Sequence, residues 1–193
     1  MPLPPLHSAV GYAIYHLAPK EKHDWKEALG YMALANAADL DFIPGILVGK
    51  PDLFHHSFTH SFTAAIVAGL VVGFMANLGR KGTFLKTFAL ATLAYASHVV
   101  LDMLFDATYV PMFWPLTGAA FHSRLNEFRS NPVHFHSFDD FVCNRLLSLS
   151  CLKRAVKELV MVGIGTSLAF VSSEIKKRFS QPNPIFQKNS LPN

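Results

Sequence analysis

Residues 60–79 read HSFTAAIVAGLVVGFMANLG, and after His60 the chain carries no formal charge until Arg80. The run approaches the roughly 20 apolar residues that cross a bilayer. It is too long for a strand, has no alternation, and is apolar all round. It therefore predicts either a membrane span or the central helix of a bundle. Gly69 and Gly73, with many alanines, favour close helix packing in either medium.

The surroundings extend the helical pattern. Pro4 and Pro5 precede a short segment, Leu6 to Leu17, that reads as a helix. Asp24 is placed as N-cap of a second helix running to about Asp39, with Glu27 completing a capping box. The stretch from Asp39 to Phe58 reads as a loop punctuated by Pro44, Gly45, Gly49 and Pro51. Thr59 is placed as the cap of the apolar helix, and a further helix runs from about Thr83 to Asp106. After "VPMFWPLTG" and an irregular polar stretch over 119–137, helices are expected at about 138–149 and 152–178. No run alternates like a strand. The expected fold is all-α, a helical bundle with a metal site between helices, membrane-embedded or membrane-associated. It forms one domain over 1–178, followed by a disordered tail over 179–193.

Composition narrows the function. Half of the 193 residues are hydrophobic and only 16% are charged, below the quarter typical of soluble domains. The net charge of +4 comes from small basic clusters at the ends of apolar segments rather than from a stripe. Nucleic-acid binding is thereby disfavoured. Cys143 and Cys151 form no CxxC pair and read as structural thiols. The opening "MPLPPLHSAVGYAI" lacks the charged start and cleavage site of an export signal.

The informative positions are ionisable groups in apolar surroundings, where burial is costly unless each is paired or binds a metal. His98 and Asp102 in "YASHVVLDMLFD" stand one turn apart on one helix face. Imidazole with carboxylate suits zinc or manganese, and equally makes a simple buried hydrogen bond. Asp39 and Asp41 flank the turn "AADLDFIP", and "FHHSFTHSF" supplies His55, His56 and His60. The HxxxH spacing of His56 and His60 invites comparison with zinc-binding HExxH helices. Ser57 stands where that motif has glutamate, so the comparison fails.

Taken in order, these residues resemble the YdjM-like family of membrane-bound metal-dependent hydrolases. The matching features are His7, "ADLD" ending at Asp41, "HHSFTHS" from His55 to Ser61, "HVVLD" from His98 to Asp102, and Trp114–Pro115. Where the family has PDxD and HRGxTHS, this chain has Ala38 for the proline and His56 and Ser57 for arginine and glycine. The family is distantly similar to the zinc-dependent phospholipase C and nuclease group, which is all-α with a metal cluster in the bundle.

The resemblance implies Asp41, His60, His98 and Asp102 as metal ligands, and His7 as ligand of a neighbouring ion sharing Asp102. Asp39 and His55 would orient or deprotonate water, and His56 would contact substrate. It implies one or more divalent ions, zinc first, and a place in or on a bacterial-type inner membrane, in contact with lipid. It also implies hydrolysis of a phosphoester. His134, His136, Asp139 and Asp140 are late candidates equally explained by an exposed loop. Two other readings of the same residues stay open: a non-catalytic membrane protein with a structural metal, and a proton or ion pathway.

Overall fold

The computed structural model describes residues 4–17, 24–79, 83–105 and 109–121, and later in the chain only 149, 152, 153, 156, 160 and 163. Among the described residues up to 121, five helices follow one another: α1 (Pro4–Leu17), α2 (Trp25–Leu34), α3 (Phe42–Leu47), α4 (Phe62–Gly79) and α5 (Phe84–Phe105). Three short 3₁₀ turns lie between them, at Ala37–Asp41, Pro51–Leu53 and Phe58–His60. Among the described residues there is no strand, only a single bridge between Val110 and Phe121. The expected all-α class holds. Of the helices expected at about 138–149 and 152–178, only residues 149, 152, 153, 156, 160 and 163 are described, and these are helical; the tail, the two cysteines and the late His/Asp candidates lie outside the described residues.

Local chemistry sets the boundaries. α1 begins at Pro4, two residues before the predicted start, because proline fits the first helical turn, where its missing N–H has no helical partner anyway. Asp24 caps α2 as predicted, its side chain accepting from the Lys26 amide at 2.9 Å. α2 stops at Leu34 rather than continuing to Asp39, and the chain tightens into the 37–41 turn. The expected loop after it contains α3, with Pro44 tolerated in the first turn. Thr59 is not the cap of α4. Ser61 takes that place, in extended conformation, accepting from the Ala64 amide at 3.1 Å.

α4 and α5 form the antiparallel pair on which the rest is built. A side chain on Gly69 would collide with Thr92 and come within 3.0 Å of the Phe88 carbonyl oxygen. One on Gly73 would lie 3.1 Å from Phe88 Cβ. The glycines thus let the two backbones approach, as small residues do where helices pack in membranes. α1 and α2 pack together and against α5. Ala38, Ala65, Tyr95, Val99, Val110 and Met112 form the shared core at one end of the pair. There the Phe62 amide donates to the Met112 carbonyl at 2.8 Å, tying the start of α4 to the 109–121 segment.

The outward faces of α4 and α5 are apolar. Ile66, Val67, Val71, Phe74, Met75 and Leu78 on α4 are all exposed, as are Leu85 and Leu93 on α5. Both helices are long and apolar enough to cross a membrane. At 1.5 Å per residue, α4 is about 27 Å long, close to the ~30 Å hydrocarbon thickness. Water would disfavour so large an apolar face, and lipid would not.

Candidate metal centre

α5 buries His98 and Asp102 completely, one turn apart, against the 3₁₀ turns at 37–41 and 58–60. The first turn contributes Asp39 and the second His60, also fully buried. Four ligand-type atoms converge: His60 Nε2, His98 Nε2, Asp39 Oδ1 and Asp102 Oδ2. His98 Nε2 is 3.1 Å from the Asp102 oxygen, 3.4 Å from that of Asp39 and 3.3 Å from His60 Nε2. His60 Nε2 is 3.3 Å from Asp102 Oδ2 and 3.7 Å from Asp39 Oδ1.

Metal–ligand bonds of about 2.0–2.2 Å in a tetrahedron leave their donor atoms roughly 3.4 Å apart. Five edges of the cluster thus have the length that one small ion would impose. A hydrogen-bonded set would look different. Neither Asp102 oxygen has a hydrogen-bond partner, and Asp39 Oδ1 has none either, although imidazole nitrogens lie close. The Nε2 atoms of His60 and His98 instead face each other, 3.3 Å apart. Buried carboxylate oxygens without donors are costly, and a cation at that centre removes the cost. Two carboxylates balance one divalent ion, so the residues fit such an ion.

The far side of each imidazole is fixed. His98 Nδ1 donates to the Ala35 carbonyl at 2.8 Å, an oxygen freed by the end of α2, and this presents the Nε2 lone pair to the cluster. His60 Nδ1 faces Asp41 Oδ2 at 3.2 Å and the Thr59 hydroxyl at 3.2 Å. Thr59 in turn donates to Asp41 Oδ2 at 2.7 Å. The other Asp41 oxygen lies 2.9 Å from His55 Nδ1.

Burial alone would raise the Asp41 pKa, but His55 and His60 outweigh it and hold the carboxyl at about 2. For Asp39, too, burial is outweighed, by His60 and His98, and its pKa lies well below the carboxylate range. Burial would lower His60, yet Asp102, Asp39 and Asp41 hold it well above the usual imidazole value. The carboxylates thus favour positive charge on the imidazole between them. His55, in contrast, is pushed down to about 4 by burial, with Asp41 only partly compensating.

His55 stacks between Phe42 at 3.8 Å and His56 at 4.0 Å. His56 adopts a left-handed backbone (φ 56°), which carries its Nε2 to 3.6 Å from Asp102 Oδ2. His7 is fully buried, stacked on His98 at 3.9 Å, with Nε2 3.6 Å from Asp102 Oδ1. Asp102 therefore turns one oxygen to the four-atom cluster and the other to His7. The eight residues to which the resemblance gives a role, His7, Asp39, Asp41, His55, His56, His60, His98 and Asp102, assemble around α5. Asp39 lies within the tetrahedral set, whereas Asp41 stands behind His60 and beside His55; Asp39, Asp41 and His55 also offer atoms close enough to share an ion.

Two participants escaped sequence reading. The Ala35 carbonyl carries no sequence signal, and Thr59 looked like a helix cap. His16 stays apart, packed against the rings of Tyr12 and Tyr15. Trp114 lies outside the cluster, against Phe58 at 5.7 Å.

Compared with known families, the chain matches the model described as "YdjM inner membrane protein" over residues 1–178. No curated protein matches it, and no solved structure does.

Proposed function

The chain belongs to the YdjM family of inner membrane proteins, and on that footing we propose that it is a metal-dependent hydrolase of phosphoester bonds, working at the membrane surface. The observation that carries this reading is the convergence of His60, His98, Asp39 and Asp102 at the separations one ion requires. These four hold the ion, with zinc the favoured identity for an N₂O₂ set. A divalent ion there acidifies water and stabilises negative charge on phosphoryl oxygens.

This assignment exchanges the roles that the resemblance implied for the two aspartates. Asp39 becomes a ligand, and Asp41 the carboxylate that orients His60 and His55. His55, hydrogen-bonded through Nδ1 to Asp41, serves as the base toward the attacking water. His56 stands beside Asp102, where it can contact the substrate's phosphoryl group. His7 holds the outer Asp102 oxygen and is placed to share a second ion.

The same four atoms favour a second reading. If all four ligate, a tetrahedral ion has no position for water, as in structural sites. The two readings separate on His55, which lies outside the four. The test measures hydrolysis of bis(4-nitrophenyl) phosphate by protein purified in detergent, with metal content read in parallel. For a hydrolase, His55→Ala lowers turnover on the order of 10²-fold or more while metal content stays the same. Full metal content in a wild type without turnover would favour the structural ion.

A further inference from the structure

The residues of the centre stand on elements of very different stiffness. His98 and Asp102 belong to α5, a helix of 22 residues. His60 belongs to a 3₁₀ turn of three residues, Phe58–His60, flanked on both sides by extended backbone. So short a turn closes few hydrogen bonds of its own, and the surroundings must hold His60 in place.

The carbonyls around the turn mostly find partners nearby. That of Ser57 accepts from the His60 amide at 3.1 Å, and that of Phe58 from the Ser61 hydroxyl at 2.6 Å. The Ser61 carbonyl accepts from the Ala65 amide at 3.1 Å, in the first turn of α4. Thr59 differs. Its carbonyl accepts from the Tyr95 hydroxyl at 3.0 Å, which ties the turn to α5.

The Thr59 carbonyl and the His60 amide belong to one planar peptide unit. Tyr95 holds one edge of that plane and Ser57 the other. At one end of the plane is Thr59, whose hydroxyl donates to Asp41 Oδ2 at 2.7 Å. At the other is His60, with Nε2 3.3 Å from Asp102 Oδ2. Tyr95 precedes His98 by three residues and Asp102 by seven, so the three share one face of α5. Its ring is anchored in the core cluster that includes Ala38, the residue before Asp39. A buried phenol commonly takes any acceptor within reach. This one takes the backbone of the His60 turn, from the helix face that carries His98 and Asp102.

We propose that Tyr95 is a positioning residue for the centre: its hydroxyl locks the Thr59–His60 peptide to α5 and so sets His60 against His98 and Asp102. This rests on the metal centre proposed above, though not on hydrolysis. Tyr95 touches neither the ion nor a substrate and acts through the peptide unit. Without the hydroxyl the plane is free to rotate, which moves the imidazole and the Thr59 hydroxyl together.

The test uses the full chain in detergent, stripped of metal and titrated with Co²⁺ against a chromogenic chelator. Tyr95→Phe keeps the ring and removes only the hydroxyl. It should bind Co²⁺ about 10–100-fold more weakly, as happens when a group that orients a ligand is lost. The visible absorption band of its saturated Co²⁺ complex should also differ from that of wild type, because ligand geometry sets that band. Val110→Ala is the control. It thins the same core, but its backbone bonds run to Phe121 and Met112. It should melt at a lower temperature and leave both the affinity and the band unchanged.

Tyr95→4-aminophenylalanine returns a donor to the end of the ring and should restore both. It also decides the matter if Tyr95→Phe does not fold, since a folded donor variant that binds Co²⁺ poorly overturns the proposal. Wild-type affinity with an unchanged band in Tyr95→Phe overturns it as well. So does a Val110→Ala protein that moves both as far as Tyr95→Phe does. A wild type that takes up no Co²⁺ overturns the metal centre itself, and this role with it.

Discussion

Asp39 and Asp41 stand two residues apart on a 3₁₀ turn, whose three residues per turn send them to different sides. Asp39 meets His60 and His98 at the cluster, while Asp41 meets the outer nitrogen of His60, His55 and the Thr59 hydroxyl. Carboxylates behind a ligating imidazole fix its tautomer and raise its basicity. Asp41→Asn should therefore weaken metal affinity by about 10–100-fold without abolishing binding, measured by competition with a chromogenic chelator.

Acid should erase part of what Asp41 contributes. Its folded pKa of about 2 lies below the ordinary carboxylate value, so the unfolded chain binds the proton more readily. Its stabilisation is full above pH ~4 and fades as pH falls toward 2. In chelator, the melting temperatures of wild type and Asp41→Asn should differ most near neutrality and converge over that window. A difference that persists unchanged to pH 2 would contradict the assignment.

At the scale of elements, what the sequence made legible followed from helical periodicity. His98 and Asp102 were readable as one face because i, i+4 spacing in a regular helix leaves little choice. The apolar helices were readable from length and the absence of charge. The irregular segment was not. Whether Asp39 or Asp41 faces the ligands depends on where α2 ends and how tightly the next turn winds, and propensity does not set that. Thr59 could cap a helix or serve Asp41, and only the placement of Ser61 decided it.

The α4–α5 contact also bears on the centre, because α5 carries two of the proposed ligands while α4 begins two residues after a third. Gly69→Val places methyl groups against Thr92 and the Phe88 carbonyl. Overpacking of this kind costs about 1–3 kcal/mol. The variant should melt several degrees lower in detergent and bind metal more weakly, whereas Gly30→Ala, at a position with open space, should do neither.

The whole molecule joins two incompatible environments. A helix pair with an apolar exterior belongs in lipid, as the inner membrane family does, and at one end of that pair a group of buried histidines and aspartates gathers around α5. Charge of that density is tolerated near hydrocarbon only when it is neutralised, and an ion held by two carboxylates and two imidazoles would neutralise it. The most direct test is elemental analysis of protein purified from membranes without chelators, wild type beside His98→Ala. The account predicts near-stoichiometric divalent metal in wild type and its loss in the variant. A wild type free of metal, or a His98→Ala protein retaining the full amount, would contradict the metal centre itself.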